Sequence, residues 1–275
     1  MAKLHSVPRF AGGKAAPAKG RQKQLPLPDP KLTGPFRSFT SDPGWNEAWW
    51  WLGMLAAVAV FVVASCWIDH DWHRRWVTRE SGVLETAQFI FMVMGLALAV
   101  QLLFDPFVRR RPLVFAVTLI AALSCLYIGG EEVSWGQHIF FWQNPDLVTA
   151  VNDEGEFSIH NMNKAFERTP RTVLELGVLI GGLVVPAVCA VFPRLRQSRV
   201  ALFLPSAVLV PAALFMLAFK IDGTVSKWTG HALLAARSSE AVEFYLYFFM
   251  FAYLVIFERR IREIETERSG KTPRA

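Results

Sequence analysis

Apolar residues along this chain gather in six long blocks, with polar and charged residues concentrated between them. The blocks cover residues 48–68, 84–104, 112–130, 173–192, 200–219 and 241–257. Each is close to the ~20 apolar residues with which an α-helix crosses a bilayer core. Backbone groups in lipid have no water to bond to, so each block is predicted to form a helix. The pattern therefore predicts an all-α, polytopic membrane helix bundle with about six transmembrane helices.

Polar stretches divide the chain into two tails and a membrane domain. Residues 1–46 are rich in Pro, Lys, Gly and Ala and contain no apolar stretch, so we expect a disordered basic tail. Residues 47–257 form the predicted membrane domain, in which the polar segment 131–172 is too long for a simple turn. Residues 258–275 form a second charged tail.

Arginines in two short connections predict the orientation. Three arginines lie at 109–111 and three more within 194–199. Basic loops are retained in the cytoplasm, so the N and C termini are both predicted to be cytoplasmic. Interfacial helices are expected in the extracytoplasmic loops, and the stretch 131–142 is expected either to prolong the third helix or to lie flat in this way. The predicted extracytoplasmic segments are 69–83, 131–172 and 220–240.

Composition excludes a typical soluble domain and makes membrane lipids the expected partners. Hydrophobic residues make up 53% of the chain, charged residues 19%, and the mean hydropathy is +0.30. Residues 1–46 carry eight Lys/Arg and two Asp, which equals the whole net charge of +6. A basic tail without a nucleic-acid-binding module favours contact with an anionic membrane surface, and we expect no nucleic-acid partner.

The densest polar segment begins with two adjacent acids, Glu131 and Glu132, at the end of the third block. The dipole at a helix C-terminus disfavours negative charge, so this pair needs a metal, a proton, or a cation such as Lys220 or Arg237. Together with His160, the two acids are the candidate catalytic residues, as general base and general acid.

Further acids are predicted on the same side of the membrane. Glu85 opens the second helix and Glu243 lies one turn inside the sixth, so we expect a polar cavity that opens to the outside. An acid in a first turn is also a common helix start, which is the alternative for Glu85 and for Glu175 after a predicted helix start at Pro170. The candidate substrate-binding residues are Glu85, Trp135, Gln137, Glu156, Asn161 and Glu243.

A divalent metal is the candidate cofactor of this segment. If the third helix continues, Glu131 and His138 lie on one face, and His160 can approach from the loop. Carboxylate and imidazole groups ligate divalent metals, so these three residues are the candidate metal ligands. The alternative is a hydrogen-bonded plug that ties the long loop to the helix bundle.

The stretch GEEVSWGQ at 130–137 and the run ExxIHN at 156–161 resemble a family of bacterial multi-pass membrane proteins. Its members pair a GEEISWGQR-like stretch with a downstream NLHN, and the match covers roughly residues 78–257. The resemblance implies a multi-pass membrane fold but no particular activity, and His138 stands where the family has Arg. The family's acids near the starts of an early and the last helix correspond here to Glu85 and to Glu240 or Glu243.

A more limited resemblance links the same stretch to two groups of membrane hydrolases. The pattern EExxxGQ at 131–137 is similar to the EExxxR helix of CAAX-type intramembrane glutamic proteases, in which an acid activates water beside histidines. The pattern SxxxH at 134–138 is similar to part of the ceramidase-like membrane hydrolases. The later histidine motifs of both groups are absent from this sequence.

Two hypotheses from different classes follow. The first is a multi-pass protein of the bacterial inner membrane whose extracytoplasmic acid/His/Asn site binds, and hydrolyses or transfers, a lipid-linked or amphiphilic substrate. The second is a non-enzymatic structural or accessory subunit that associates with other membrane-protein subunits, with the motif locking the long loop in place. A transporter ranks below both because the helix interiors carry no mid-membrane charge.

Overall fold

The computed structural model describes residues 42–77, 82–140, 164–198, 200–235 and 237–268. Within these ranges the chain forms helices and turns and no β-strand. Six helical segments of the described chain are long and apolar enough to cross a membrane, which confirms the all-α polytopic bundle. These segments are Asn46–Ile68, Val83–Leu103, Pro112–Glu132, Pro170–Val191, Ala201–Thr229 and Ser238–Glu267.

Short helices accompany the long ones at both ends of the bundle. A π-helical turn, Ile180–Val184, joins the two halves of the fourth span. The helices are α1 (Trp45–Ile68), α2 (His70–Trp76), α3 (Val83–Leu103), α4 (Pro106–Arg109), α5 (Pro112–Glu132), α6 (Gln137–Phe140), α7 (Lys164–Leu179), α8 (Val185–Val191), α9 (Val210–Thr229) and α10 (Ser238–Arg268).

The central helix of the bundle is α10. In the apolar part of α10, 61% of the residues are buried inside the protein. The corresponding share for α1, which lies at the periphery of the bundle, is 17%. Its Tyr245 stacks on Phe219 of α9 with ring centroids 5.9 Å apart. On another side, Phe91 of α3 packs edge-on against Phe244 at 5.5 Å. The Tyr245 hydroxyl also donates to the Leu55 carbonyl at 2.9 Å, which ties α1 to the centre.

The start of the fourth span differs from the sequence-based prediction. The helix was expected to begin at Pro170, but α7 begins at Lys164 and Pro170 lies inside it. The apolar span itself starts at Pro170. The polar first turns of α7 therefore continue the helix beyond the membrane-spanning part, and composition alone does not mark that junction as a helix end.

Prolines also shift the fifth helix. Two 3-10 turns, Ala201–Phe203 and Ala207–Leu209, precede α9, which starts only at Val210. Pro205 lies between the turns and has no N–H for a helical bond, whereas Pro211 lies in the first turn of α9, where that N–H is not needed. The fifth span is thus broken near its start.

Close contact between the fourth span and α9 depends on one glycine. A Cβ added at Gly182 would lie 2.4 Å from the Cβ of Ala213, which is closer than real Cβ atoms come. A Cβ at Gly177, earlier on the same span, would meet nothing within 4 Å. The backbone of the fourth span at Gly182 therefore packs directly against the Ala213 side chain of α9, whereas Gly177 is not part of this contact.

Ion pairs of α10 hold together one end of the bundle, which we call the arginine face. The Arg260 guanidinium donates to both carboxylate oxygens of Asp42 at 2.7 Å. It also donates to backbone carbonyls in the segment before α9. Two residues further along α10, Arg262 pairs with Asp105 at 2.7 Å. The arginine face is defined by Asp42, Asp105, Arg260 and Arg262.

At the other end, α2 folds back against α1 through a buried histidine. His73 Nδ1 lies 2.7 Å from the Ser65 hydroxyl, which donates to the Val62 carbonyl at 3.1 Å. The Ser65 oxygen can therefore accept from an N–H at Nδ1. This tautomer leaves Nε2 without a proton, and this buried nitrogen has no hydrogen-bond partner among the described residues. Burial, and secondly the neighbouring His70, lower the pKa of His73 below its ordinary value of 6.5.

Candidate functional site

The GEEVSWG motif ends α5 with a left-handed turn. Three consecutive residues, Ser134, Trp135 and Gly136, have positive φ values of 45°, 52° and 89°. Such values are costly for a non-glycine residue unless the surroundings hold it in place. Here Trp135 Nε1 donates to Glu131 Oε1 at 2.6 Å, and its ring lies 3.0 Å from where a Cβ of Gly130 would be.

This turn excludes one of the two expectations for residues 131–142, namely that they prolong the third helix. Because α5 ends at Glu132, the predicted helical face that placed Glu131 in line with His138 does not form. The chain instead turns and resumes as the short helix α6 (Gln137–Phe140), which contains Gln137. Of the predicted site residues, Glu131 and Trp135 are thus bound to each other.

Glu132, the second acid of the pair, lies among acids from other helices. Its carboxyl group forms a side-chain hydrogen bond with the Tyr247 hydroxyl of α10. Glu85 of α3 and Glu240 and Glu243 of α10 lie within electrostatic range of it. We call Glu85, Glu132, Glu240 and Glu243 the carboxyl cluster. Three of its members were predicted from the sequence as site residues, and Glu240 as a resemblance-based alternative to Glu243.

One arginine that the sequence analysis missed links this cluster to α7. The Arg171 guanidinium donates to Glu243 Oε1 and, at 3.2 Å, to Glu175 Oε1. Lys220 of α9 donates to both Glu175 oxygens at 2.9 and 2.8 Å. Lys220 therefore pairs with Glu175. The sequence made it a candidate partner of Glu131 or Glu132, but it is not their direct partner. An Arg and a Glu four residues apart on a helix was the signal in the sequence.

A buried amide lies beside the cluster. Gln88, one turn after Glu85 on α3, is fully buried, and its Nε2 donates to the Glu240 backbone carbonyl at 3.0 Å. Among the described residues, its Oε1 has no hydrogen-bond partner. A buried acceptor without a donor is costly, so this oxygen is a candidate acceptor for a bound donor.

The loop before α10 is anchored by Asp222, which the sequence analysis also missed. Its carboxylate accepts the backbone N–H groups of Leu233, Leu234 and Ala235 at 2.7, 2.8 and 3.2 Å. The Ser238 hydroxyl at the start of α10 donates to the same group. Asp222 thus fixes the direction in which α10 enters the bundle, and with it the positions of Glu240 and Glu243.

Several predicted site residues lie outside the described part of the chain. These residues are Glu156, His160 and Asn161, together with the side chain of His138. Among the residues that the structure describes, no group of three or more His, Cys, Asp or Glu side chains is placed to hold a metal ion. Two of the three candidate metal ligands, His138 and His160, have side chains outside the described part of the chain, so the metal remains a prediction.

The fold and the site together define the class of protein. It is an integral, multi-pass α-helical membrane protein with polar groups gathered at the end of the bundle opposite the arginine face. No family model, curated protein or solved structure matches the chain. The residues of the site are therefore the basis for the proposed function.

Proposed function

We propose that this protein binds the polar head group of a lipid-linked or amphiphilic substrate at the carboxyl cluster. The observation that carries the proposal is the gathering of four carboxyl groups from α3, α5 and α10 at one end of the membrane-spanning bundle. Ionisable groups at membrane depth are costly and are found mainly where they serve a site or a partner. A head group at the membrane edge reaches this depth while its apolar part stays in lipid.

The chemistry of the cluster limits the class of head group. Carboxylate oxygens accept hydrogen bonds, and Gln88 Oε1, beside the cluster, is a further acceptor. Arg171 and Tyr247 donate, and both already donate to members of the cluster. A complementary head group is therefore rich in donors, as an amine or a group of sugar hydroxyls is.

A second candidate function, hydrolysis or transfer of the bound substrate, is favoured by the Glu132–Tyr247 pair. A carboxyl group hydrogen-bonded to a phenol is an arrangement that can hold or move a proton during a reaction. In this version Glu132 is the general base, and His160, in the loop, is the predicted acid. Tyr247 positions the Glu132 carboxyl group.

Orientation forms part of the proposal. We place the protein in a bacterial inner membrane with the carboxyl cluster on the extracytoplasmic side, because arginines at 109–111 and 194–199 favour the cytoplasm. Reporter fusions after Arg110 and after Asn152 test it. A cytoplasmic signal at Arg110 and an exported one at Asn152 are expected, and the reverse pattern would place the site inside the cell.

Binding is tested with amphiphiles that differ only in head group. Protein held in amphipol is titrated with a long-chain primary amine, an alkyl glycoside and an alkyl sulfate of equal chain length. We expect the amine or the glycoside to bind about tenfold more tightly than the sulfate, and Glu240→Gln to remove about that preference. Glu258→Gln, on the same helix but near the arginine face, is the control. Equal binding of the sulfate would refute the donor-rich assignment.

Chemistry is tested separately with Glu132→Gln and Tyr247→Phe. If Glu132 is a base, Glu132→Gln abolishes turnover of the bound amphiphile and leaves its binding and the melting temperature close to those of the wild type. A chelator added to the wild type tests the metal prediction in the same assay. If Glu132→Gln changes only the melting temperature and the chelator has no effect, the accessory-subunit hypothesis is favoured instead.

A further inference from the structure

A cavity of about 350 Å³ lies at the arginine face, away from the carboxyl cluster. It is bordered by the first turns of α1, the end of α8 and the broken segment before α9. The volume lies at the small end of ligand pockets, so the cavity holds part of a larger molecule. Most of its lining is apolar, and the charged lining residues are Asp42, Arg196 and Arg260.

The backbone break before α9 forms one wall of the cavity. Residues 204–208 line it, and they run from the end of the first 3-10 turn into the second. Irregular backbone at membrane depth is tolerated only where it is buried in protein or lines a polar cavity. Arg260 satisfies the Ala201 and Leu204 carbonyls, at 3.1 and 2.5 Å, which stabilises the break. The opening between α1 and α9 is thus a built feature of the fold.

The charged residues of the described lining favour an anionic ligand. Arg260 and Asp42 form a bidentate pair at 2.7 Å. Arg196 is a second basic side chain, so the described lining has two positive charges and one negative. A guanidinium matches phosphate well because its planar N–H groups bind two oxygens at once.

The position of the cavity indicates where the ligand comes from. Trp49 lines the cavity and is 64% exposed, as expected for an indole at the membrane–water boundary. Anionic lipids are concentrated where basic loops lie, on the cytoplasmic leaflet. We propose that this cavity binds the phosphate and glycerol region of an anionic phospholipid, whose acyl chains extend into the bilayer beside α1.

The proposal is tested by lipid binding to the full-length protein. Native mass spectrometry in the presence of equal amounts of phosphatidylglycerol and phosphatidylcholine compares retention of the two lipids. We expect the wild type to retain phosphatidylglycerol about tenfold more than phosphatidylcholine, and Arg196→Gln to reduce that preference about fivefold or more. Arg194→Gln, an exposed charge in the same loop that does not line the cavity, should leave the preference unchanged.

A second variant tests the cavity without changing charge. Ala207 lines the cavity and is exposed, so Ala207→Trp fills the space without disturbing the core. We expect it to remove phosphatidylglycerol retention. Equal retention of both lipids by the wild type, an equal effect of Arg194→Gln and Arg196→Gln, or full retention in Ala207→Trp would each overturn the proposal. Binding at the carboxyl cluster should be unaffected in all three variants.

Discussion

Replacement of Asp42 by Asn should strongly destabilise the protein, because Asp42 neutralises a charge that water does not reach. The side chains of Arg260 and Asp42 are 2% and 8% exposed. Breaking a buried ion pair from one side costs about 3–5 kcal/mol, since the remaining charge stays buried without a partner. Backbone carbonyls around Arg260 compensate in part, so we expect about 3 kcal/mol for Asp42→Asn, or roughly a hundredfold in the unfolding equilibrium.

A neighbouring pair supplies a matched control. Glu47 pairs with Arg259 at 2.8 Å, but these side chains are 33% and 36% exposed. Solvent screens such pairs, which contribute about 0.2–1 kcal/mol. Glu47→Gln removes the same charge from the same end of the bundle, so the two variants differ mainly in burial.

Reversible unfolding in mixed micelles with increasing sodium dodecyl sulfate, followed by tryptophan fluorescence, measures both variants. The reasoning is refuted if Asp42→Asn and Glu47→Gln lie within about 0.5 kcal/mol of each other, because the difference expected from burial is about 2–3 kcal/mol. A double variant, Asp42→Leu with Arg260→Met, should recover only part of the loss, since it removes the buried charge but leaves the Ala201 and Leu204 carbonyls without their donor.

Three further predictions concern other parts of the bundle. Gly182→Ala should destabilise the protein by about 1–3 kcal/mol through steric overlap with α9, whereas Gly177→Ala, with open space, should be neutral or stabilising by up to about 1 kcal/mol in the same unfolding assay. Asp222→Ala should cost about 2 kcal/mol and speed hydrogen exchange of the amides at 233–235, while Thr224→Ala, which removes an exposed hydroxyl two residues away, should not. The lowered pKa of His73 means that the unfolded chain binds its proton more tightly, so stability should be highest above pH 6.5 and fall as the pH decreases through the folded pKa; melting temperatures from pH 8 to 5 should show a smaller fall in His73→Gln.

The membrane spans could be predicted from the sequence because one physical requirement determines them. A membrane-spanning helix must be apolar over about the thickness of the hydrocarbon core, so the length of an apolar block in the sequence directly predicts a span. The number and order of the spans also predicted that Glu85, Glu132 and Glu243 lie on one side of the membrane. Successive spans cross the membrane in opposite directions, so the end of one helix and the start of the next lie on the same side. Helix ends carrying acids on one side of a bundle of this size are necessarily near neighbours.

The partners of those acids could not be predicted in the same way. Arg171 follows Pro170, and the proline indicated that the helix starts there. The sequence therefore did not show that Arg171 lies well inside α7. Tyr247 lies within an apolar block, where a tyrosine is commonly a packing residue, although it follows Glu243 by one helical turn. Asp222 binds amides 11 to 13 residues away, a spacing that no helical periodicity records.

The end of α5 was left open between two alternatives for a different reason. Glu131 and Trp135 are four residues apart, which is the helical spacing, and they do contact each other. The contact nevertheless closes a left-handed turn instead of continuing the helix, because Trp135 bends back over Gly130. A four-residue spacing is satisfied by both geometries, so periodicity alone does not distinguish them.

The two ends of the bundle use charge in opposite ways, and this difference supports separate roles for them. At the arginine face, the central pair of Arg260 and Asp42 is bidentate and nearly dry, so it adds rigidity where α1, α9 and α10 meet. At the other end, one guanidinium is shared between Glu243 and Glu175, whose side chains are 21% and 11% exposed, while Arg171 itself is 36% exposed. A shared and partly hydrated cation is readily rearranged when a ligand brings its own donors, whereas a dedicated dry pair is not. We therefore expect the ion pairs to rearrange on ligand binding at the carboxyl cluster, where the proposed head group binds, and not at the pair of Arg260 and Asp42.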